Sequence, residues 1–292
     1  MGKNDLTACG ICSHQDVSLR YSKKDFSIAQ CHSCGVLFRT PQPTFEEVRQ
    51  LYTTAYYNPW HLEKEEGVKK IKMDTFEKRL REIQIYVSGG KILDLGCATG
   101  FFLKMAQSRG FEPYGIELSE FSFVQAHKKF GDTIFHGTIE DGPFENDFFD
   151  VITMFDLLEH VKDPVATLRR CKEILKPKGI IVAVLPDVSS ITAKLMGSNW
   201  THYKDEHLYY FSKRTISALL KQESYEVVKI TPTSKVMNLE YLYHQFTQYP
   251  HHIVTPLITT FYKLLPHYLS TISFPLLMGE ILIIARTGSG KL

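Results

Sequence analysis

From Lys91 onward, short apolar runs alternate with longer segments whose apolar residues recur at helical spacing. The runs predict strands over Ile92–Leu95, Tyr114–Leu118, Thr133–His136, Phe149–Phe155 and Ile180–Leu185, and the periodic segments predict helices over Phe101–Arg109, Ser119–Phe130 and Pro164–Leu175. A helix over Lys213–Lys221 and strands over Tyr225–Ile230 and Glu280–Arg286 complete the pattern, for seven strands in all. Strand–helix alternation with apolar strands predicts an α/β fold: a doubly wound, mostly parallel sheet with helices on both faces.

The first ninety residues break this rhythm. Two C-x-x-C pairs, Cys9–Cys12 and Cys31–Cys34, flank segments that predict short strands at Val17–Tyr21 and Phe26–Ala29. Two residues between thiolates let a tight turn aim both sulfurs at one ion, and Gly35 tolerates the positive φ such a turn demands, so the four cysteines predict a structural zinc ribbon. A redox pair is the alternative, and His14 or His32 could replace one cysteine. After the connector Thr40-Pro-Gln-Pro-Thr44, Thr44 is a plausible N-cap for a helix from Phe45 to about Tyr52, and a second helix is predicted over Val68–Val87. The aromatic stretch Tyr56-Tyr57-Asn58-Pro59-Trp60 between them reads as a lid over a cofactor or as a docking element for the ribbon. The organisation expected is a ribbon (1–44), a helical linker or lid (45–90), a core (91–231), an insertion (232–279) and a last strand with its tail (280–292).

Composition narrows the function classes. With 43% hydrophobic and 23% charged residues among 292, and a net charge of +2, the chain suits an ordinary globular protein; DNA is not expected as a partner and RNA is disfavoured. No apolar leader precedes the cysteines and no long uncharged apolar window occurs, so a cytoplasmic protein is expected, one whose cysteines bind metal or, like Cys97 and Cys171, fill the core.

The first core strand runs into Asp94-Leu-Gly96-Cys-Ala-Thr-Gly100, a glycine turn entering a helix at the carboxyl end of the strand, where open α/β folds bind cofactors. Ala98 stands where a dinucleotide fingerprint needs glycine, and no Gly-Lys-Ser/Thr follows, so a ligand without a pyrophosphate is favoured. Glu117, ending the second strand, can accept both hydroxyls of a ribose.

These residues resemble the class I S-adenosylmethionine-dependent methyltransferases, through Ile92-Leu-Asp-Leu-Gly-Cys-Ala-Thr-Gly100, Tyr114-Gly-Ile-Glu117, Phe149-Asp-Val-Ile152, Leu158-Glu-His-Val161 and Leu175-Lys-Pro-Lys-Gly179. The ribbon, Pro-Gln-Pro-Thr and Glu206-His-Leu-Tyr-Tyr-Phe-Ser212 resemble a bacterial subgroup that modifies sugars, polysaccharides and lipids. The resemblance implies Asp94, Gly96, Cys97, Gly100 and Phe101 around the methionine part of S-adenosylmethionine, Glu117 and Leu118 at the ribose, Thr138 and Ile139 beside the adenine, and Phe155 and Asp156 closing the site. Many relatives carry aspartate where Thr138 stands.

Asp156-Leu-Leu-Glu159-His160 should border the acceptor site, and its pattern is similar to that of quinone-biosynthesis O-methyltransferases, where such groups are linked to a divalent ion. His160 is therefore a candidate general base, a metal ligand with Asp156 and Glu159, or a packing residue; His207 is a second candidate base. The apolar insertion before Glu280 reads as a helical cap over the acceptor cleft, a membrane-surface contact or a dimer face. Methyl transfer to oxygen of a small-molecule, sugar or lipid-linked acceptor is the expected activity. The rivals are a zinc-ribbon RNA methyltransferase and a non-catalytic zinc-ribbon interaction protein.

Overall fold

The computed structural model describes residues 6–51, 66–248 and 254–288. The ribbon forms strands β1 (Val17–Ser22), β2 (Ser27–Cys31) and β3 (Leu37–Thr40), paired antiparallel. Helix α1 (Phe45–Leu51) begins with the expected cap: the Glu47 amide donates to Thr44 Oγ1 at 3.2 Å, and the Thr44 amide donates back to the Glu47 carboxylate at 2.6 Å. Helix α2 (Glu66–Gln84) follows. Tyr56 to Trp60, the expected lid, lie outside the described residues.

The core comprises β4 (Gly90–Leu95), α3 (Phe101–Ser108), β5 (Phe111–Glu117), α4 (Glu120–Phe130), β6 (Ile134–His136), β7 (Phe149–Phe155), α5 (Pro164–Ile174) and β8 (Leu175–Pro186). Then come α6 (Ile191–Met196), β9 (Tyr209–Tyr210), α7 (Lys213–Gln222), β10 (Tyr225–Met237), α8 (Leu239–Gln248), α9 (Val254–Leu264), α10 (His267–Ser270) and β11 (Phe274–Thr287). Seven strands form the expected sheet, in the order β10-β11-β8-β7-β4-β5-β6; β4 to β8 are parallel, whereas β11 is antiparallel to β8 and to β10.

Strand periodicity explains the two covered faces. Val151, Val182, Val184, Leu282 and Ile284 point to the side of α2, α3 and α4, while Ile152, Ile181, Ala183, Ile281 and Ile283 point to the side of α5 and α7. The ribbon joins the second cluster through Cys9, Ala29, Cys31 and Phe38. It is also tied to the core by backbone pairing, because β3 pairs with β9 and extends the ribbon sheet to four strands.

The last two strands are longer than the apolar pattern predicts. Strand β10 continues through Pro232 to Met237, tolerated because it is the sheet's edge strand and needs no outward N–H donor there. Among the described residues, the insertion helices pack on one another and on β11. Val254 and Ile258 of α9 pack with Leu242 and Phe246 of α8 and with Leu276 and Met278 of β11, and Tyr243 stacks on Tyr262 at 4.2 Å.

Candidate active site

At the end of β4, Gly96 has φ 72° and Gly100 φ 75°, so the chain reverses into α3 through left-handed positions that suit glycine. The Gly96 and Cys97 amides both donate to the Ile116 carbonyl, at 2.9 and 3.0 Å. A Cβ on Gly96 would stand 3.1 Å from Leu157, and one on Gly100 would stand 2.7 Å from the Phe130 ring. This turn holds Glu117, whose carboxylate accepts from the Ala98 and Ser119 amides, each at 2.8 Å. Asp94 is buried and accepts from Thr153 Oγ1 at 2.6 Å; burial pushes its carboxyl up to about 7, against the pull of the Thr153 hydrogen bond and the Arg79 charge.

Two cavities open beside the turn. One, of about 560 Å³, is lined by Gly96, Glu117, Leu118, Thr138 and Ile139, with Phe45 and Val48 of α1 on another wall. The second, of about 310 Å³, is lined by Asp94, Cys97, Phe101, Phe155, Asp156, Glu159, His160 and His207, together with Lys72, His202 and Lys235. Leu157 and His160 line both. The expected cofactor residues thus come together, except that Gly100 lines neither cavity and serves the turn. Cys97 lines the second cavity while its sulfur fills the space a Cβ on Gly115 would need. Thr138 donates to the Asp141 carboxylate at 2.8 Å, so an acidic group stands three residues beyond the position where many relatives carry one.

The second cavity holds an imidazole cluster. The His160 and His207 rings meet edge to face at 4.5 Å, and His202 stacks on His207 at 6.2 Å. Burial lowers all three: His160 to about 4, His202 to about 3 and His207 well below its ordinary value, so each is neutral at pH 7. His160 Nδ1 lies 3.0 Å from the Glu206 carbonyl, which can only accept, so that nitrogen carries the proton and Nε2 carries the lone pair.

Asp156 does not join Glu159 and His160 as the expected third ligand. It has φ 53°, and its carboxylate is drawn to Lys235 at 3.2 Å and Arg79 at 3.9 Å. Burial works to raise its pKa, but these two cations hold it below the usual range. His207 stands beside them instead: Glu159, His160 and His207 are all buried, and each offers a ligand atom within 4.8 Å of the others. Glu159 Oε2 and His207 Nδ1 have no hydrogen-bond partner among the described residues, which fits a site for a divalent ion. Burial, then the Asp156 charge, pushes the Glu159 carboxyl well above the ordinary range.

In the ribbon, Cys9 and Cys34 sulfurs lie 3.7 Å apart and Cys12 and Cys31 sulfurs 3.5 Å apart. Zn–S bonds of about 2.3 Å give a tetrahedron with edges of about 3.8 Å, so the four thiols are spaced for zinc. The ribbon also braces the segment that carries His207. Arg39 donates to the Asp205 carbonyl at 2.9 Å and Gln42 to the Leu208 carbonyl at 3.1 Å, bracketing His207.

Several site residues escaped the sequence reading. Arg79 and Lys72 sit among the charges of α2, where nothing separates a buried cation from a solvated one. Lys235 lies on the continuation of β10 and pairs with buried Glu280 at 2.5 Å; the extended strand was the missing signal.

Comparison with known proteins bears on the fold and the family. A ubiquinone biosynthesis O-methyltransferase from Vibrio campbellii is 34% identical over 101 residues, covering 32% of this chain and 42% of that protein. The namesake from Pasteurella multocida is 33% identical over 110 residues, covering 32% and 46%. The chain therefore matches less than half the length of these curated relatives. Among solved structures, magnesium protoporphyrin IX methyltransferase from Synechocystis, with bound SAH, superposes with a TM-score of 0.56 at 10% identity, over 84% of this chain and all of that one. An S-adenosylmethionine-dependent methyltransferase from Mesorhizobium loti gives 0.50 at 18% identity, over 74% and 99%. Both show the same fold. The model of one family, described as a methyltransferase domain, matches residues 38–230, from the last ribbon strand into β10, and to that family the chain belongs.

Proposed function

We propose that the protein transfers the methyl group of S-adenosylmethionine to a hydroxyl oxygen of a small-molecule acceptor, a sugar or lipid-linked molecule. The observation that carries this reading is that His160 lines both cavities, one shaped by Glu117 and the other by neutral imidazoles. The names of the curated relatives support oxygen as the methylated atom. Bound S-adenosylmethionine supplies an electrophilic methyl, which leaves orientation and proton removal to the protein.

Glu117, held by two backbone amides, presents its carboxylate to ribose hydroxyls. Leu118 and Ile139 give apolar walls for the base, and the Thr138–Asp141 pair gives it a polar edge. Asp94 faces the cationic end of the cofactor from the second cavity. A neutral imidazole is the form that accepts a proton, and His160 Nε2 or His207 serves as base, a role worth about 10²- to 10⁴-fold. The Glu206 and Asp156 charges favour the imidazolium that forms at His160.

The unpartnered Glu159 and His207 atoms favour a second reading of the same pocket, in which Glu159, His160 and His207 hold a divalent cation that would polarise the acceptor hydroxyl. Loss of turnover on chelation with its return on adding the cation selects this reading; turnover indifferent to chelators rejects it.

Calorimetric titration of S-adenosylmethionine and S-adenosylhomocysteine tests the main proposal. Binding lost in Glu117→Ala, and turnover but not binding lost in His160→Ala or His207→Ala against nucleotide sugars and polyprenyl lipids, is the expected result. An intact protein that binds neither ligand rejects it.

A further inference from the structure

The C-terminal elements expose large apolar side chains in register. On α9, Leu257, Phe261 and Leu264 stand at i, i+4 and i+7, with Phe261 58% and Leu264 75% exposed. On α6, Ile191 and Leu195 form an i, i+4 pair that is 76% and 82% exposed. Both helices are anchored to one segment of β11: Thr192 of α6 donates to the Met278 carbonyl at 3.4 Å, and α9 packs with Leu276 and Met278. Leu277 and Phe274 of that segment are exposed as well.

Charge says what covers this face. Residues 241–279 contain no aspartate or glutamate, while exposed Lys263 on α9 and Lys194 on α6 stand in the same elements. A second copy would bring like-charged lysines together, whereas an anionic lipid surface meets them with opposite charge and receives the apolar side chains between them. No helix among the described residues is long and apolar enough to cross a membrane, and α9 has the length and stripe of a helix lying in the interface plane.

We propose that α6, α9 and the start of β11 dock on the anionic surface of a phospholipid bilayer. Two residues beyond Met278 on β11, Glu280 pairs with Lys235, which lines the second cavity, so the docked face borders that cavity. Access to a lipid-linked acceptor follows from this placement and rests on the proposed methyl transfer; the docking itself does not.

Co-sedimentation of the full chain with extruded vesicles tests it without acceptor or methyl donor. Partitioning onto phosphatidylglycerol–phosphatidylcholine vesicles at least about tenfold above phosphatidylcholine alone, falling as salt is added, is expected. Phe261→Asp with Leu264→Asp should lower it more than about tenfold, and Lys194→Ala with Lys263→Ala to a lesser degree, with unchanged thermal melting because all four side chains are exposed. Three outcomes overturn the proposal: no partitioning at low salt, partitioning indifferent to the Phe261 and Leu264 changes, or a dimer in sedimentation velocity that the same variant dissolves.

Discussion

The ribbon and the C-terminal helices both flank the core, yet they are attached in opposite ways. Ribbon residues Ala29, Cys31 and Phe38 are almost wholly buried in the same cluster as the sheet, and β3 pairs with β9, a strand much further along the chain. Helix α9 has no buried residue and keeps its longest apolar side chains in solvent. The ribbon is thus built into the core, while the C-terminal helices form an outward surface.

Substitutions can break this contrast at either end. The largest effect is expected from Cys31→Ser, which removes one of the four thiols; with structural zinc sites worth about 10–16 kcal/mol in isolated zinc-finger peptides, loss of the metal and a collapse of melting temperature should appear together in elemental analysis and calorimetry. Phe38→Ala, at the ribbon–core joint, should cost about 3–5 kcal/mol by denaturant titration. A cost below about 1 kcal/mol would show that the ribbon is merely appended.

Glu117→Gln leaves a similar shape but removes the charge that two amides and the ribose share, and should weaken donor binding by about 1.5–3 kcal/mol in calorimetry. Asp94 gives a signed pH dependence. Its carboxyl titrates at about 7 in the fold, so donor affinity should rise about tenfold between roughly pH 6 and pH 8 as the group ionises, and Asp94→Asn should flatten that slope. Stability runs the other way for this group. Its folded pKa exceeds the ordinary 3.8, so its contribution is full below that value and is lost as pH rises through about 7. The smallest effect belongs to Leu264→Ala, which should move folding stability by no more than about 0.5 kcal/mol.

Much of the core was legible because it follows local rules. Alternating apolar runs mark both faces of β7, β8 and β11, the glycine turn after Asp94 needs left-handed backbone, and two C-x-x-C pairs suit one ion. Long-range pairings carry no such mark. The two-residue strand Tyr209–Tyr210 has no signature of its own and exists because β3 offers it an edge. Asp156 looked like a ligand beside Glu159 and His160, but Lys235 reaches it from 79 residues away and claims its charge. Pro232 hid the continuation of β10, since proline stops a strand unless it lies at an edge.

The joint between β3 and β9 also has a history in time. Gln42 and its partner Leu208 are separated by 166 residues, and at about 5–20 residues per second a ribosome needs roughly ten to thirty seconds to bring the second after the first. Through that interval the growing chain carries a strand with an open edge, the kind of surface on which nascent chains associate. A ribbon closed early by its own metal would keep that edge in shape until Tyr209 and Tyr210 arrive, so zinc starvation should reduce the yield of soluble protein before it limits turnover.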